Sequence, residues 1–309
     1  MSHRYAGDPG IHGLVVAMLT PFTRRSALDP EAVRRHVDFL ATAGVDGLFV
    51  CGTNGEAPLL AHRERTRLAE LVVTAAGGRV PVVIQAGTAS TLETIALCRH
   101  ARRIGAAAVA VITPWYFRLG DAALLAHYVR VARAVPDLPI FLYDIPQNTG
   151  NALSTETILA IADRAPNVVG VKESAGDVAR IAELVTAARG RLSEFVGNDA
   201  LALPGLEAGA RGSVSGNANV FPELFVALFA AYRSGDRAAA RRADERVQQT
   251  RRILHDGDMA LFKAILARRG HAIGRVRPPL PDVTPAEVER CVGELRAMGL
   301  EVVGDRKEV

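Results

Sequence analysis

The sequence predicts an α/β protein: a (β/α)8 barrel, the TIM-barrel class, with a C-terminal helical extension. Two observations carry that expectation. Short apolar runs of Val, Ile, Ala and Leu recur without polar alternation, as strands buried on both faces of a parallel sheet require. Each run is followed by a longer amphipathic stretch, and eight such pairs in roughly 220 residues suit a closed barrel better than an open sheet. The dinucleotide-binding alternative lacks its fingerprint, because no G-x-G-x-x-G follows the first strand.

The pairs follow in order. GLVVAML (13–19) precedes PEAVRRHVDFLATAG (30–44), DGLFVCG (46–52) precedes RERTRLAELVVTAAGG (63–78), and VPVVIQAG (80–87) precedes TLETIALCRHARRIG (91–105). AAAVAVITP (106–114) leads to DAALLAHYVRVARAV (121–135), LPIFLYDIP (138–146) to STETILAIADRAP (154–166), and NVVGVKES (167–174) to DVARIAELVTAARG (177–190). LSEFVGN (192–198) with DALALPGLEAG (199–209), then ARGSVSG (210–216) with a helical tail, complete the eight. Strands cease near residue 220, so 1–220 is read as the barrel and 221–309 as the extension. FPELFVALFAAYRSGD (221–236), the arginine-rich stretch from 237 and PAEVERCVGELRAMG (285–299) read as its helices, with RVRPPLPDVTP (275–285) as a proline-rich connector.

Composition excludes several classes. With 309 residues and 49% hydrophobic content the chain can bury a large core. Its first apolar stretch is too short to span a bilayer and lacks signal-peptide flanks, so a cytoplasmic protein without a membrane anchor is expected. Cys51, Cys98 and Cys291 are odd in number and widely spaced, which suggests buried free thiols. The pI near 9.2 reflects a formal charge of only +4, with arginines interleaved with acids as in HRERTRLAE (62–70). Together with 5% aromatic residues and no zinc-finger spacing, this argues against a nucleic-acid partner. The eight histidines form no HxH or HxxxH pair, so no metal site is expected from local spacing.

Lysine usage singles out one position. Only Lys172, Lys263 and Lys307 are lysines among 37 basic residues, and Lys172 closes the apolar run VVGV. A snorkelling or salt-bridged side chain is one role for such a lysine. Chemistry is the other, since an amine can lose its proton and a guanidinium cannot. In a barrel, catalytic groups stand at the C-terminal ends of the strands. Thr53 and Asn54 follow the second strand, Tyr116 the fourth, Tyr143 ends the fifth, Asn198 follows the seventh, and Ser215 and Asn217 the eighth. An apolar strand end favours the neutral amine, which can form a Schiff base with a ketone and so provide an electron sink without a cofactor. GTNGEAP (52–58) can turn backbone N–H groups toward an anion such as a keto acid's carboxylate, though the string is also a common turn. Tyr143 can relay a proton at the imine carbon, or simply pack with its hydroxyl satisfied.

Taken together, GTNGE, TPWYF, LYDIPQNTG, VVGVKES and GNDALALPG, in that order and spacing, resemble the pyruvate-dependent class I aldolase family that includes dihydrodipicolinate synthase and N-acetylneuraminate lyase. The resemblance spans about residues 10 to 300. It implies that Lys172 is the Schiff-base lysine and Tyr143 the proton-transfer phenol, with Thr53 linking it in a hydroxyl relay to Tyr116 from a neighbouring subunit. It also implies that Thr53 and Asn54 hold the pyruvate carboxylate, that Val214 lines the ketone, and that the assembly is a homotetramer built as a dimer of dimers.

One departure bears on substrate. Dihydrodipicolinate synthases usually carry an arginine just before TG, where it meets the carboxylate of aspartate semialdehyde; this chain has Asn148. An amide offers no fixed charge and no bidentate fork. PQNTG, with GTNGE and the later GDVARI, looks more like the branch that cleaves 4-hydroxy-2-oxoglutarate or 2-keto-3-deoxy sugar acids. The leading expectation is therefore reversible cleavage of a 4-hydroxy-2-keto acid to pyruvate and an aldehyde. The synthase reaction, dehydration of a keto acid, and a non-catalytic keto-acid sensor are the alternatives.

Overall fold

The structure, a computed structural model, describes residues 10–302. Lys307 and the outer ends of the spans 1–220 and 221–309 lie outside the described residues. Eight strands close into a barrel in chain order. They are β1 (Gly13–Ala17), β2 (Gly47–Val50), β3 (Val82–Gln85), β4 (Ala108–Ile112), β5 (Ile140–Asp144), β6 (Val168–Glu173), β7 (Ser193–Val196) and β8 (Gly212–Ser215). Each falls inside the apolar run expected for it, and adjacent strands from β2 to β8 pair in parallel.

The helices between strands are α1 (Pro30–Thr42), α2 (His62–Ala76), α3 (Thr91–Arg103), α4 (Asp121–Ala134), α5 (Pro146–Thr149), α6 (Thr155–Arg164), α7 (Val178–Ala188) and α8 (Ala202–Glu207). After β8 come α9 (Pro222–Arg233), α10 (Arg237–Ile253), α11 (Met259–Arg268) and α12 (Pro285–Ala297). Their starts are chemically marked. Asp29, Ser90, Ser154, Asp177, Asp236 and Thr284 each accept a hydrogen bond from a backbone N–H of the first turn, which would otherwise be unpaired. The sequence reading does not separate α11 from its neighbours, because MALFKAILAR is apolar on nearly every face and shows no amphipathic period. Its start is nonetheless capped by Asp258, which accepts from Ala260 N at 2.9 Å and Leu261 N at 3.1 Å.

The described chain forms two compact units: residues 10–15, 46–50 and 80–214, and residues 16–45, 51–79 and 215–302. In the first, outward-facing Val196 of β7 packs with Ile181 of α7 and Ala210. A Cβ at Gly205 would stand 2.3 Å from Val196 Cγ2, so α8 approaches β7 only with glycine there. In the second, Asn219 acts as a polar hub. Its Oδ1 accepts from Leu19 N at 3.0 Å and lies 3.0 Å from His36 Nε2, while its Nδ2 donates to the carbonyls of Ala17 and Gly216, each at 2.8 Å. Burial holds His36 neutral, with its pKa lowered to about 4.

Glu194 on β7 is the acid this packing serves least. It is buried, its Oε1 has no hydrogen-bond partner, and burial pushes its carboxyl up to about 7 from 4.5. A carboxyl with a raised folded pKa leaves stability intact below its unfolded value and removes it as pH rises through the folded value. Glu194→Gln should therefore melt in urea like the wild type near pH 4 and gain about 1–3 kcal/mol at pH 8. A gain of equal size at both pH values, or none, would refute this account.

Candidate active site

The lumen of the first unit is lined by Val15, Phe49, Val83, Phe141, Lys172, Phe195 and Val214. All but one are apolar. Lys172 reaches this lining because side chains on β6 alternate faces, which puts Gly170 and Lys172 inward and Val171 and Glu173 outward. Gly170 is needed for the lining to close: a Cβ there would stand 2.5 Å from the Phe141 ring and 2.3 Å from the Ser193 carbonyl. The same pairing sets Lys172 beside Tyr143 of β5 on one flank and Phe195 of β7 on the other.

Geometry then bears on the amine. Lys172 is 5% exposed, and its Nζ lies 3.6 Å from the centroid of the Tyr143 ring and 4.9 Å from that of Phe49. Phe49 and Tyr143 meet edge to face at 5.7 Å. No carboxylate pairs with the Lys172 amine among the described residues. The amine's nearest charged or aromatic neighbours are thus two ring faces and not an acid. The snorkelling and salt-bridged readings of Lys172 therefore do not apply. Tyr143 is 1% exposed, and Val214 is buried in the same lining.

Two other expected residues of this unit lie elsewhere. Tyr116 is 86% exposed, adopts the left-handed φ of 81°, and stacks edge to face on the exposed Phe117 at 5.1 Å. Such backbone geometry costs a non-glycine residue energy, and here neighbouring groups hold it. Asn151 Nδ2 donates to the carbonyls of Pro114 at 2.7 Å and Phe117 at 2.8 Å, while its Oδ1 accepts from Leu119 N at 2.8 Å. Arg118 also donates to the Gly150 carbonyl. Asn148 sits exposed on the single turn of α5, its N–H bonded to the Ile145 carbonyl at 3.0 Å.

Thr53 and Asn54 belong to the second unit and are half-buried. The Thr53 carbonyl accepts from Glu56 N at 2.9 Å, and a Cβ at Gly216 would stand 2.4 Å from Asn54 Nδ2, so glycine at 216 makes room for that amide. Glu56 has a left-handed φ of 56° and is buried, with Oε1 accepting from Lys263 Nζ at 2.6 Å and Oε2 from Arg277 N at 2.7 Å. Lys263 also donates to the Arg275 carbonyl at 3.0 Å. The turn geometry of GTNGE is thus held by a fully buried ion pair.

Sequence reasoning missed this pair. The available signal was a lone lysine inside the apolar helix MALFKAILAR. It also missed Asp144, Glu173 and Arg180, which lie on the outer faces of β5 and β6 and on α7. Of the polar groups expected at strand ends, Asn198 caps the turn after β7 by accepting from Ala200 N at 2.9 Å, and Ser215 Oγ accepts from Ala218 N at 3.0 Å. Asn217 is buried. His255, Glu287 and Cys291 form a group of three potential metal ligands among the described residues. The Arg290 guanidinium donates to Glu287 at 2.7 Å and lies 2.8 Å from His255 Nε2, so a cation already occupies their shared position.

A model of the dihydrodipicolinate synthetase family matches residues 10–297. A DapA-like lyase of Halobacterium salinarum is 42% identical over 297 residues, covering 96% of this chain and 97% of its own. The 4-hydroxy-tetrahydrodipicolinate synthase of Methanopyrus kandleri is 35% identical over 292 residues, covering 94% and 97%. Among solved structures, YagE, a prophage protein of the dihydrodipicolinic acid synthase family from E. coli K12 in complex with pyruvate, superposes with a TM-score of 0.90 at 29% identity, covering 94% of this chain and 99% of that one.

Proposed function

Because the chain belongs to the dihydrodipicolinate synthetase family, whose members are class I pyruvate-dependent lyases, we propose that it reversibly cleaves a 4-hydroxy-2-keto acid to pyruvate and an aldehyde through an imine on Lys172. The observation that carries this reading is the buried Lys172 amine, set over the Tyr143 ring with no carboxylate paired to it among the described residues. The neutral nitrogen attacks the keto carbon, and loss of water gives the imine. Once protonated, the imine draws the electrons of the C3–C4 bond. Tyr143 carries the proton away from the 4-hydroxyl as that bond breaks and the aldehyde leaves. The resulting enamine takes a proton at C3, and water returns pyruvate and free Lys172. The covalent imine does the work of a cofactor, so none is required.

We assign the keto acid's carboxylate to Thr53 and Asn54 on the likeness of GTNGE, and the flank of the ketone to Val214. Tyr116 supplies the outer hydroxyl of the relay through Thr53, entering from a second copy in a homotetramer; its 86% exposure supports this. Asn148, an exposed amide, faces the distal part of the substrate and disfavours the synthase, whose second substrate carries a carboxylate there. The synthase remains the second reading, favoured by the 35% identity to the Methanopyrus kandleri enzyme.

A panel of 4-hydroxy-2-keto acids, with aspartate semialdehyde plus pyruvate as one member, separates these readings by following pyruvate. Release from 4-hydroxy-2-oxoglutarate or a 2-keto-3-deoxy sugar acid is the expected result. Consumption of pyruvate with the semialdehyde and release from none of the others would establish the synthase instead. Loss of substrate without pyruvate would point to dehydration, and binding without turnover to a sensor.

A further inference from the structure

The pairing of β5 with β6 places two successive rungs at the strand ends. Tyr143 and Lys172 form the inward rung, and Asp144 and Glu173 form the next, facing outward. Both carboxylates are 1% exposed, and one guanidinium serves them. Arg180, in the first turn of α7, donates from Nε to Glu173 Oε2 at 2.9 Å and places Nη2 3.6 Å from Asp144 Oδ2. It also donates to the Leu153 carbonyl. The remaining acceptors are met by backbone: Glu173 Oε1 accepts from Ala175 N at 2.6 Å, and both Asp144 oxygens accept from Leu153 N at 3.3 Å.

Charge is unbalanced here, with two acids against one cation. Burial, and then the neighbouring Glu173, push Asp144 up to about 7. The other titratable group against Asp144 is Tyr128 of α4, whose hydroxyl donates to the Val111 carbonyl at 3.2 Å. Beyond this rung Ser174 N donates to the Asp144 carbonyl at 2.9 Å, and Gln147 Nε2 donates to the Ser174 carbonyl at 2.7 Å. On the outer face, the two strand-end carboxylates are drawn together by the Arg180 guanidinium.

We propose that Arg180 is a positioning residue for the imine centre: by bridging Glu173 and Asp144 on the outer face, it fixes the spacing of the two strand ends whose inner faces carry Lys172 and Tyr143. The inference rests on the reading of Lys172 as the imine lysine. Without the guanidinium the bridge between Glu173 and Asp144 is lost, Glu173 is left buried without its cation, and the strand ends are free to part. An error of about 1 Å between nucleophile and proton carrier costs on the order of 10²-fold in rate. Pyruvate's carboxylate contacts are not altered by this change, so binding is spared.

The test is the rate of imine formation with pyruvate, quenched with borohydride at timed intervals and mapped by mass, across a pyruvate series. Arg180→Met should lower the saturating rate by about 10–100-fold, with the half-saturating pyruvate concentration held within about threefold. Arg180→Lys should recover part of the rate, because a point charge can meet Glu173 but cannot span both acids. Arg191→Met, which removes an exposed pair with Asp163 in the same unit, is the control and should match the wild type. If Arg180→Met does not fold, Arg180→Gln combined with Asp144→Asn lowers the buried charge and is judged by the same criterion. A folded Arg180 variant that traps pyruvate at the wild-type rate, or whose defect lies only in half-saturation, overturns the inference while leaving the imine reading intact. No adduct at Lys172 in the wild type overturns that reading first and the inference with it.

Discussion

Replacing Lys172 with arginine is expected to abolish turnover and covalent capture of pyruvate while leaving the barrel folded. A guanidinium keeps its proton at every accessible pH and cannot add to a ketone, so the variant retains charge and loses the nucleophile. The fall should be roughly 10⁴-fold or more, since removing a covalent nucleophile leaves only the catalysis that binding provides. Lys172→Met supplies the complementary result. Val15, Phe49, Val83, Phe141, Phe195 and Val214 would surround a thioether of similar length, so this variant should be inactive yet at least as stable as the wild type. Pyruvate release and the mass of the borohydride-reduced protein measure the first effect, and urea melts the second. Retention of more than about one part in a hundred of the activity by Lys172→Arg would end the covalent role.

The other lysine of the described chain should show the opposite pattern, a large loss of stability. Lys263 and Glu56 are both buried, 2.6 Å apart and 207 positions apart in sequence. Lys263→Met leaves a carboxylate buried without its cation, and breaking such a pair from one side costs about 3–5 kcal/mol. Glu56→Gln keeps an acceptor for Arg277 N but strands the ammonium, so it should cost a similar amount. The double variant, with neither charge, should recover much of the loss. A cycle of four urea melts gives the coupling directly, and a coupling below about 0.5 kcal/mol would mean the two side chains act independently. Because Glu56 holds its left-handed backbone inside the GTNGE turn, the single variants should also loosen the segment carrying Thr53 and Asn54.

These two lysines show how far sequence reading reaches. Both are isolated amines in apolar surroundings, and both read alike as local strings. VVGVKES ends on a strand, where barrel geometry makes a polar side chain meaningful, so Lys172 was legible. MALFKAILAR is a helix without an amphipathic period, and nothing local tells which acid its lysine meets. Arg180 was overlooked for a related reason. It belongs to GDVARI, whose arginine reads as one more charge on a helix, and its importance comes from two acids supplied by β5 and β6. The left-handed backbone of Tyr116 was likewise illegible in TPWYF, because the Asn151 side chain that bonds the carbonyls of Pro114 and Phe117 comes from beyond β5.

The amino-acid sequence by itself determined the eight strands, their order, the buried character of both strand faces, and the identity of the strand-end lysine. These follow from short-range periodicity and from composition, which record how much each residue avoids water. Tertiary structure alone decided which aromatic ring the amine lies against, which carboxylates share Arg180, and which acid balances Lys263. Those outcomes depend on strand register and on residues far apart in the chain, where the energy lies in the match between partners and not in either string alone.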